Sequence, residues 1–174
     1  MKNRINAGTM RRILNLWPPF LCNGIRVTHI ASDWRRARVE LRSRPWNRNY
    51  VGVHFGGNLF SMTDPFWMLL AMHALGSDYI VWDQAGTIEF LKPGRGTVHA
   101  VFRLDDAILG QLREATAGGA KHLHWFETDV LDASGEVVAR VRKQLYVRRK
   151  RARIDGTNAA AGTKHDTREP LGTG

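Results

Sequence analysis

The segment from Gly57 to Leu75 limits the folds open to this chain more than any other part of the sequence. Its apolar side chains cover nearly every side of a helix: Phe60, Met62, Phe66, Trp67, Met68, Leu69, Leu70, Met72 and Leu75. A helix that is apolar all round is a buried helix. At about 1.5 Å per residue, a helix of this length would extend roughly 30 Å, the width of a small domain. The rest of the chain must therefore enclose it.

Strand patterns lie on both sides of this predicted helix. Ala37, Val39 and Leu41 alternate with charged residues, as in a half-buried strand, and residues 25–30 form another strand-like run. Further strands are predicted over 79–91, 97–104, 122–131 and 137–147, with a minor helix over 105–117. A curved antiparallel sheet around the central helix is the simplest enclosure, so the predicted fold is an α+β hotdog fold. One such unit leaves a free sheet edge, and we therefore expect a homodimer or a homotetramer.

The predicted organisation is a single hotdog domain with short additions at both ends. Residues 9–17 have the pattern of an amphipathic helix, which Thr9 caps and Pro18–Pro19 ends. We expect an N-terminal helix and lead-in over 1–23, the hotdog domain over 24–150 and a disordered basic, Gly-rich tail over 151–174. One cysteine, the lack of a signal peptide and the lack of a membrane-spanning run predict a cytoplasmic protein.

The formal net charge of +10 requires a partner hypothesis. Much of the excess lies between Arg140 and Arg153, a stretch without an acidic residue. Nucleic acid, an anionic membrane surface and the phosphates of a ligand such as coenzyme A would each match this charge. A solvated basic strand end that leads into a tail explains it equally well. Nucleic acid is not favoured, because Tyr146 is the only aromatic residue in this stretch that could stack on bases.

The run from Asn49 to Pro65 carries the residues that could perform chemistry. Gly56–Gly57 opens the helix, where free backbone N–H groups point outward and glycine lets a ligand approach closely. Such a turn can hold the oxyanion of an acyl-transfer intermediate. Asp64 follows two turns later among apolar residues, where a carboxylate is costly unless it is paired or used. It is therefore a candidate base or nucleophile, and His54 is a second candidate base.

The dipeptide Asp64–Pro65 leaves two helix starts open. Asp is a favoured N-cap and Pro a favoured first helical residue, so the helix could begin at Asp64 with the carboxylate as its cap. Alternatively, one helix begins at Gly57, and Pro65 kinks it and frees the carbonyl of Ser61. Local sequence slightly favours the cap, in which case the carboxylate only closes the helix end.

Asn49, the Gly56–Gly57 pair and Asp64 stand at a spacing that resembles the active-site run of the PaaI-type hotdog thioesterases. Residues 86–96 are similar to the strand and turn that follow the central helix in that family. The fuller pattern resembles the DUF4442 branch more closely, from about residue 10 to residue 150. The resemblance implies hydrolysis of an acyl-coenzyme A thioester, with coenzyme A as part of the substrate and without a cofactor or a metal.

The resemblance also implies roles for individual residues. Asp64 would act as general base or nucleophile, the Gly56–Gly57 turn would hold the oxyanion, and Asn49 would orient water or substrate. In that family the site forms between two subunits, so Asp64 would face the glycine turn of its partner. Here Phe55 replaces the histidine of the family's His-Gly-Gly turn, and His54 stands one position earlier. This departure favours a second hypothesis, a non-catalytic module that binds acyl-CoA or an acyl carrier.

The remaining predicted substrate contacts fall into two sets. The coenzyme A phosphates would suit Lys92 and Arg95 on the Pro-Gly turn, or else Arg148 and Arg149. A second set consists of aromatic side chains that would line an acyl pocket or pack in the core: Phe60, Trp67 and Trp82.

Overall fold

The computed structural model describes residues 5–151. Within this range the chain forms helices α1 Ala7–Leu16, α2 Pro18–Leu21, α3 Gly56–Ser61, α4 Phe66–Leu75 and α5 Asp106–Ala115, with a 3-10 turn over Pro45–Asn47. The strands are β1 Ile25–Ile30, β2 Arg36–Arg42, β3 Tyr79–Phe90, β4 Thr97–Arg103, β5 Lys121–Leu131 and β6 Val137–Arg149. They form one antiparallel sheet in the order β1-β2-β4-β5-β6-β3. Every predicted strand is present, and the first has the predicted bounds.

Helix α4 packs on the inner face of this sheet through aromatic side chains. The ring of Phe66 stacks on Phe102 of β4, with centroids 4.8 Å apart, and Trp67 stacks on Phe126 of β5 at 4.4 Å. The Trp67 indole N–H donates to the Thr128 hydroxyl at 2.9 Å, so its one polar atom is satisfied inside the core. A curved sheet that encloses an apolar helix is the predicted α+β hotdog fold.

The central helix differs from its prediction, because it is two helices separated by the turn from Met62 to Pro65. Pro65 has no N–H to donate to the Ser61 carbonyl, and the N–H of Asp64 donates to that carbonyl instead, at 3.2 Å. Pro65 itself takes the N-cap position of α4, and this helix start has no side-chain cap. The prediction that Asp64 caps the helix is therefore wrong, and so is the alternative of a single helix kinked at Pro65.

The N-terminal helix begins two residues before its prediction. Asn6 is the N-cap of α1, and its side-chain carbonyl accepts a hydrogen bond from the N–H of Thr9 at 2.8 Å. The prediction that Thr9 caps this helix is therefore wrong, because Asn6 is the N-cap and Thr9 donates to it. Asn is at least as favourable an N-cap as Thr. Pro18–Pro19 ends α1 as predicted, but it also opens the short helix α2. The predicted tail lies outside the described residues beyond position 151.

The two edges of the sheet are treated differently. On the β1 edge, the Asn15 side chain of α1 accepts from the Val27 N–H at 2.7 Å and donates to the Val27 carbonyl at 3.0 Å. Strand β3 forms the other edge with twelve residues. Its outer side pairs with no other strand among residues 5–151. The edge of β3 is thus the one at which a second chain could add.

None of the described helices combines the length and the apolar character that a membrane span requires.

Candidate active site

The Gly56–Gly57 pair forms the first two residues of α3, after Phe55 as N-cap. The N–H groups of Asn58 and Leu59 donate to the Phe55 carbonyl, at 2.9 and 3.3 Å, whereas those of the glycine pair have no acceptor among the described residues. Such unpaired donors at a helix start are available to a ligand. A Cβ atom at Gly56 would lie 2.7 Å from the Phe90 ring, and one at Gly57 would collide with the Phe55 ring. A side chain at either position would therefore displace a neighbouring phenylalanine ring.

A cavity of about 440 Å³ opens beside this turn. It brings together four residues predicted from the sequence, with the neighbouring loop and strand end: Asn49, Val53, His54, Gly56, Leu59, Phe90, Leu91, Lys92, Pro93 and Gly94. The side-chain carbonyl of Asn49 accepts from the N–H of Val53 at 3.2 Å and so shapes the loop. The side-chain amide nitrogen of Asn49 has no acceptor in the described part of the chain, which leaves it available to a ligand.

His54 is a buried residue that ties two loops together. Its Nε2 lies 2.9 Å from the Gly96 carbonyl and must donate to it, and its backbone N–H donates to the Gly94 carbonyl at 3.0 Å. This tautomer makes Nδ1 an acceptor, and that atom is buried without a partner among residues 5–151. Burial lowers the pKa of His54, and the hydrogen bond to Gly96 opposes the shift only in part. The ring is therefore neutral at physiological pH.

Asp64 does not lie in the apolar interior that its sequence neighbours predict. Its side chain is 51% exposed in one chain, because the turn before α4 directs it out of the core while Met62 and Phe66 point inward. Its Oδ1 lies 2.6 Å from the Nζ of Lys143. The carboxylate is thus paired and half open to solvent, and it caps no helix.

Lys143 and Asp83 complete this cluster, and sequence reasoning missed both. Lys143 is only 4% exposed, and its Nζ lies 3.6 Å from Oδ2 of Asp83. Burial raises the pKa of Asp83; the charge of Lys143 acts against this shift, and the charge of Asp64 adds to it. The signal that could have found Lys143 is alternation along β6, since it shares the inward positions with Val141 and Leu145.

The two halves of the predicted site are apart within one chain. Asp64 comes eight residues after Gly56 and lies in the turn from Met62 to Pro65, beyond the end of α3. Asp64 is not among the residues that line the cavity beside the glycine turn. The Asp64 carboxylate therefore lies outside the cavity in which a thioester carbonyl could meet the glycine turn of the same chain.

The three predicted pocket aromatics fall in different places. The ring of Phe60 lies under the Lys143 ammonium, 5.2 Å from Nζ to the ring centroid. Trp67 is a core residue. Trp82 is half-exposed on the outer face of β3, where it stacks on Tyr146 at 4.3 Å, because successive residues of a strand point to opposite faces. Of the three, Phe60 alone contacts the cluster around Asp64.

The predicted phosphate-binding cations also separate. Lys92 is held by Asp132 at 2.7 Å and by Glu136, whereas Arg95 is exposed. Arg148 donates to the Gly119 carbonyl at 3.0 Å, and Arg149 is exposed at the far end of β6. The N–H of Lys92 donates to the carbonyl of Val138, at the start of β6. Arg149 follows Val138 by eleven residues, so the strand length between Lys92 and Arg149 is roughly 35 Å at about 3.3 Å per residue. They cannot contact one phosphate group in one chain.

The sequence profile of the DUF4442 family, a domain of unknown function, matches residues 7–147. The chain belongs to the DUF4442 family. This confirms the resemblance seen in the sequence, and no curated protein sequence matches the chain.

Three solved structures show how widely the fold of this DUF4442 domain occurs. It is similar to PA5026 from Pseudomonas aeruginosa, described as a probable thioesterase, with a TM-score of 0.74 and 21% identity over 83% of this chain and 97% of that one. It is similar to the thioesterase HI1161 from Haemophilus influenzae (TM-score 0.61, 13% identity, 90% and 98% covered). It also resembles the Escherichia coli PaaI protein of the phenylacetic acid degradation operon (TM-score 0.57, 19% identity, 83% and 90% covered). At these identities the similarity establishes the hotdog fold.

Acidification is expected to destabilise this DUF4442 protein partly through His54. The folded state holds the His54 pKa below its ordinary value of 6.5. The unfolded chain therefore binds the proton more tightly, and the free energy of unfolding falls as the pH drops from about 7 to about 5. Urea unfolding at stepped pH should show a shallower fall in His54→Gln, and His29→Gln, at an exposed position of β1, is the control.

Some slope should remain in His54→Gln, because burial also lowers the pKa of His99 and of His124. A His54→Gln protein with the full wild-type slope would contradict the prediction.

Proposed function

We propose that this DUF4442 protein hydrolyses acyl-coenzyme A thioesters at sites formed between two copies of the chain. The observation that carries the proposal is the glycine turn, whose two unpaired N–H donors lie beside a cavity of about 440 Å³. A pair of fixed donors is the arrangement that stabilises an oxyanion. Structural relatives described as thioesterases lend further support.

In this mechanism the glycine turn binds the thioester carbonyl, and Asp64 activates water. The carboxylate takes a proton from water as the water oxygen attacks the carbonyl carbon, and the N–H groups of Gly56 and Gly57 stabilise the oxyanion. The carbon–sulfur bond then breaks, and the coenzyme A thiolate takes the proton from Asp64. Direct attack by Asp64 as a nucleophile would give the same products after hydrolysis of the anhydride. The free amide of Asn49 orients the water or the substrate.

The proposal uses two copies because Asp64 does not line the cavity beside the glycine turn of its own chain. The open edge of β3 supports a pairing of two sheets. Asp83, which contacts Lys143, and Phe90, whose ring adjoins Gly56, both belong to β3. A dimer through this edge would therefore bring the two halves of the site to the same interface, with Asp64 facing the glycine turn of the second copy.

The coenzyme A phosphates are assigned to Arg95 in this proposal. Arg95 is exposed and adjoins Gly94 of the cavity, whereas the Lys92 ammonium is already bound to two carboxylates. Arg148 and Arg149 lie at the opposite end of β6 and would contribute only from another chain.

A second candidate is a non-catalytic acyl-CoA or acyl-carrier binding protein. The observation that favours it is Phe55, which stands where the PaaI-type turn has histidine and whose ring lies against Gly57. Phe55 supplies no polar group, so a bound thioester would lose one polar contact. Tight binding of acyl-CoA without release of free thiol would support this candidate.

Release of free coenzyme A thiol from short, medium and aryl acyl-CoAs tests the proposal. The wild-type protein is expected to hydrolyse at least one of these classes, and Asp64→Ala should not. Asp78→Ala, at an acidic residue outside the proposed site, serves as the matched control and should retain the wild-type rate. Equal rates in the wild type and Asp64→Ala would remove Asp64 from the mechanism, and no thiol release from any substrate would overturn the proposed activity.

A further inference from the structure

We infer that Lys143 is a positioning residue: its buried ammonium fixes the Asp64 carboxylate by Oδ1 and leaves Oδ2 to act. The inference rests on the proposed function for its catalytic meaning, but the contact itself stands on geometry. The Nζ–Oδ1 distance is 2.6 Å, that of a short charge-assisted hydrogen bond. Lys143 lies 79 residues from Asp64 in the sequence, so the fold alone brings the two together.

The position of Lys143 is unusual for a lysine. Every other inward residue of β6 is apolar: Ala139, Val141, Leu145 and Val147. The adjacent Arg142 points to the outer face, where its guanidinium lies over the Trp125 ring. A buried ammonium is costly to desolvate, and replacing a buried ion pair with apolar residues often leaves a protein as stable or more so. Stability therefore does not account for a lysine at this position, whereas control of a reactive carboxylate does.

The surroundings hold the Lys143 side chain in one place. The residue opposite it on β3 is Gly86. A Cβ atom at Gly86 would lie 2.8 Å from the Phe60 ring and 3.0 Å from Cδ of Lys143. The absence of a side chain at Gly86 thus makes room for the lysine stem, and the Phe60 ring supports the ammonium from below. On the other side, β5 contributes the apolar Phe126.

Asp83 is the second carboxylate on the same ammonium. It lies farther away than Asp64, at 3.6 Å, and its Oδ1 is buried without a partner among the described residues. The other titratable side chain that the register places near this group on the inner face is His124, opposite Leu145. Lys143 therefore makes its short bond to Asp64, while Asp83 makes a longer contact with the same ammonium from β3.

Kinetics of Lys143 variants test the role in catalysis. Lys143→Met should lower kcat for the preferred acyl-CoA by about 10- to 100-fold with KM nearly unchanged, because a misplaced catalytic group slows the chemical step. Lys143→Arg should restore part of the rate. Gln144→Met introduces the same side chain at the next position, on the outer face, and should have no effect. Equal losses in Lys143→Met and Lys143→Arg, or a rise in KM alone, would overturn the inference.

The ammonium signal of ¹⁵N-lysine-labelled protein tests the contact without any need for turnover. The protons of a buried, hydrogen-bonded ammonium exchange slowly with water. The Lys143 signal should therefore be visible in the wild-type spectrum, and it should be missing from the spectrum of Lys143→Met. Asp64→Asn should shift it strongly, and Asp83→Asn should shift it less. An unshifted signal in Asp64→Asn would overturn the inference even in an active enzyme. A strong shift in a protein that hydrolyses no acyl-CoA would sustain the contact and overturn the thioesterase proposal alone.

Discussion

An equal mixture of Asp64→Asn and Gly56→Val chains is expected to recover about one quarter of the wild-type hydrolysis rate, by random pairing into dimers. Each variant alone should lose most activity. Loss of the base lowers kcat by about 10²–10⁴-fold, and disruption of an oxyanion donor lowers it by about 10²–10³-fold. The valine side chain would collide with the Phe90 ring, since even a Cβ at Gly56 lies 2.7 Å from it.

The recovery follows from the separation of the two half-sites. In a mixed dimer, one site combines both defects, and the other combines the intact Asp64 of one chain with the intact glycine turn of its partner. Half of the dimers are mixed under random pairing, and each has one working site of two. Co-expression with two affinity tags isolates the mixed dimers as the doubly tagged fraction, whose kcat should be about one half of the wild-type value.

The control pairs two variants of the same half-site. Asp64→Asn mixed with Lys143→Met should recover nothing beyond the average of the two separate proteins, since neither mixed site has an intact carboxylate cluster. Absence of recovery in the Asp64→Asn and Gly56→Val mixture would place both halves of the site in one chain and contradict the proposed dimer.

Replacing Phe102 with alanine is expected to lower the free energy of unfolding by about 3–5 kcal/mol. Phe102 is fully buried on β4. Its ring stacks on Phe66 at 4.8 Å and meets the edge of Trp67 at 5.4 Å, so its removal leaves a cavity at the contact between α4 and the sheet. Leu16→Ala, at a 72% exposed position at the end of α1, is the control and should cost about 1 kcal/mol or less. Urea unfolding at equal protein concentration measures both, and similar losses would contradict this view of the core.

The strands and the enclosure of the helix could be predicted because they depend on patterns within single segments. Alternation over 37–41 and the apolar segment at 66–75 each identify a buried face without knowledge of the partner. The break before Phe66 could not be predicted, because Asp64–Pro65 satisfies the local rules for a cap and for a kink alike. The outcome depends on the Asp64 N–H, which bonds the Ser61 carbonyl, and on Lys143, which attracts the carboxylate away from the helix end.

The candidate site was predictable only in the part that is contiguous in sequence. Asn49, His54 and Gly56 lie within eight residues and line one cavity. Lys143 belongs to the basic stretch that begins at Arg140, and net charge does not show that Lys143 points inward while Arg140 and Arg142 point outward. Asp83 stands next to an irregularity in β3, where the register shifts before Ala85. A bulge of this kind reverses the alternation of faces, and sequence alone does not reveal it. The cytoplasmic location stays a prediction.

The two hydrogen bonds between Asn15 and Val27 would limit how far strand addition could proceed in an assembly of this chain. A β-sheet with two unpaired edge strands can add further strands at both ends, which is how fibrils grow. In this chain the first helix occupies one margin through a pair of side-chain hydrogen bonds. Joining two copies along β3 would use up the remaining margin, so strand addition would end at a closed pair instead of an open filament.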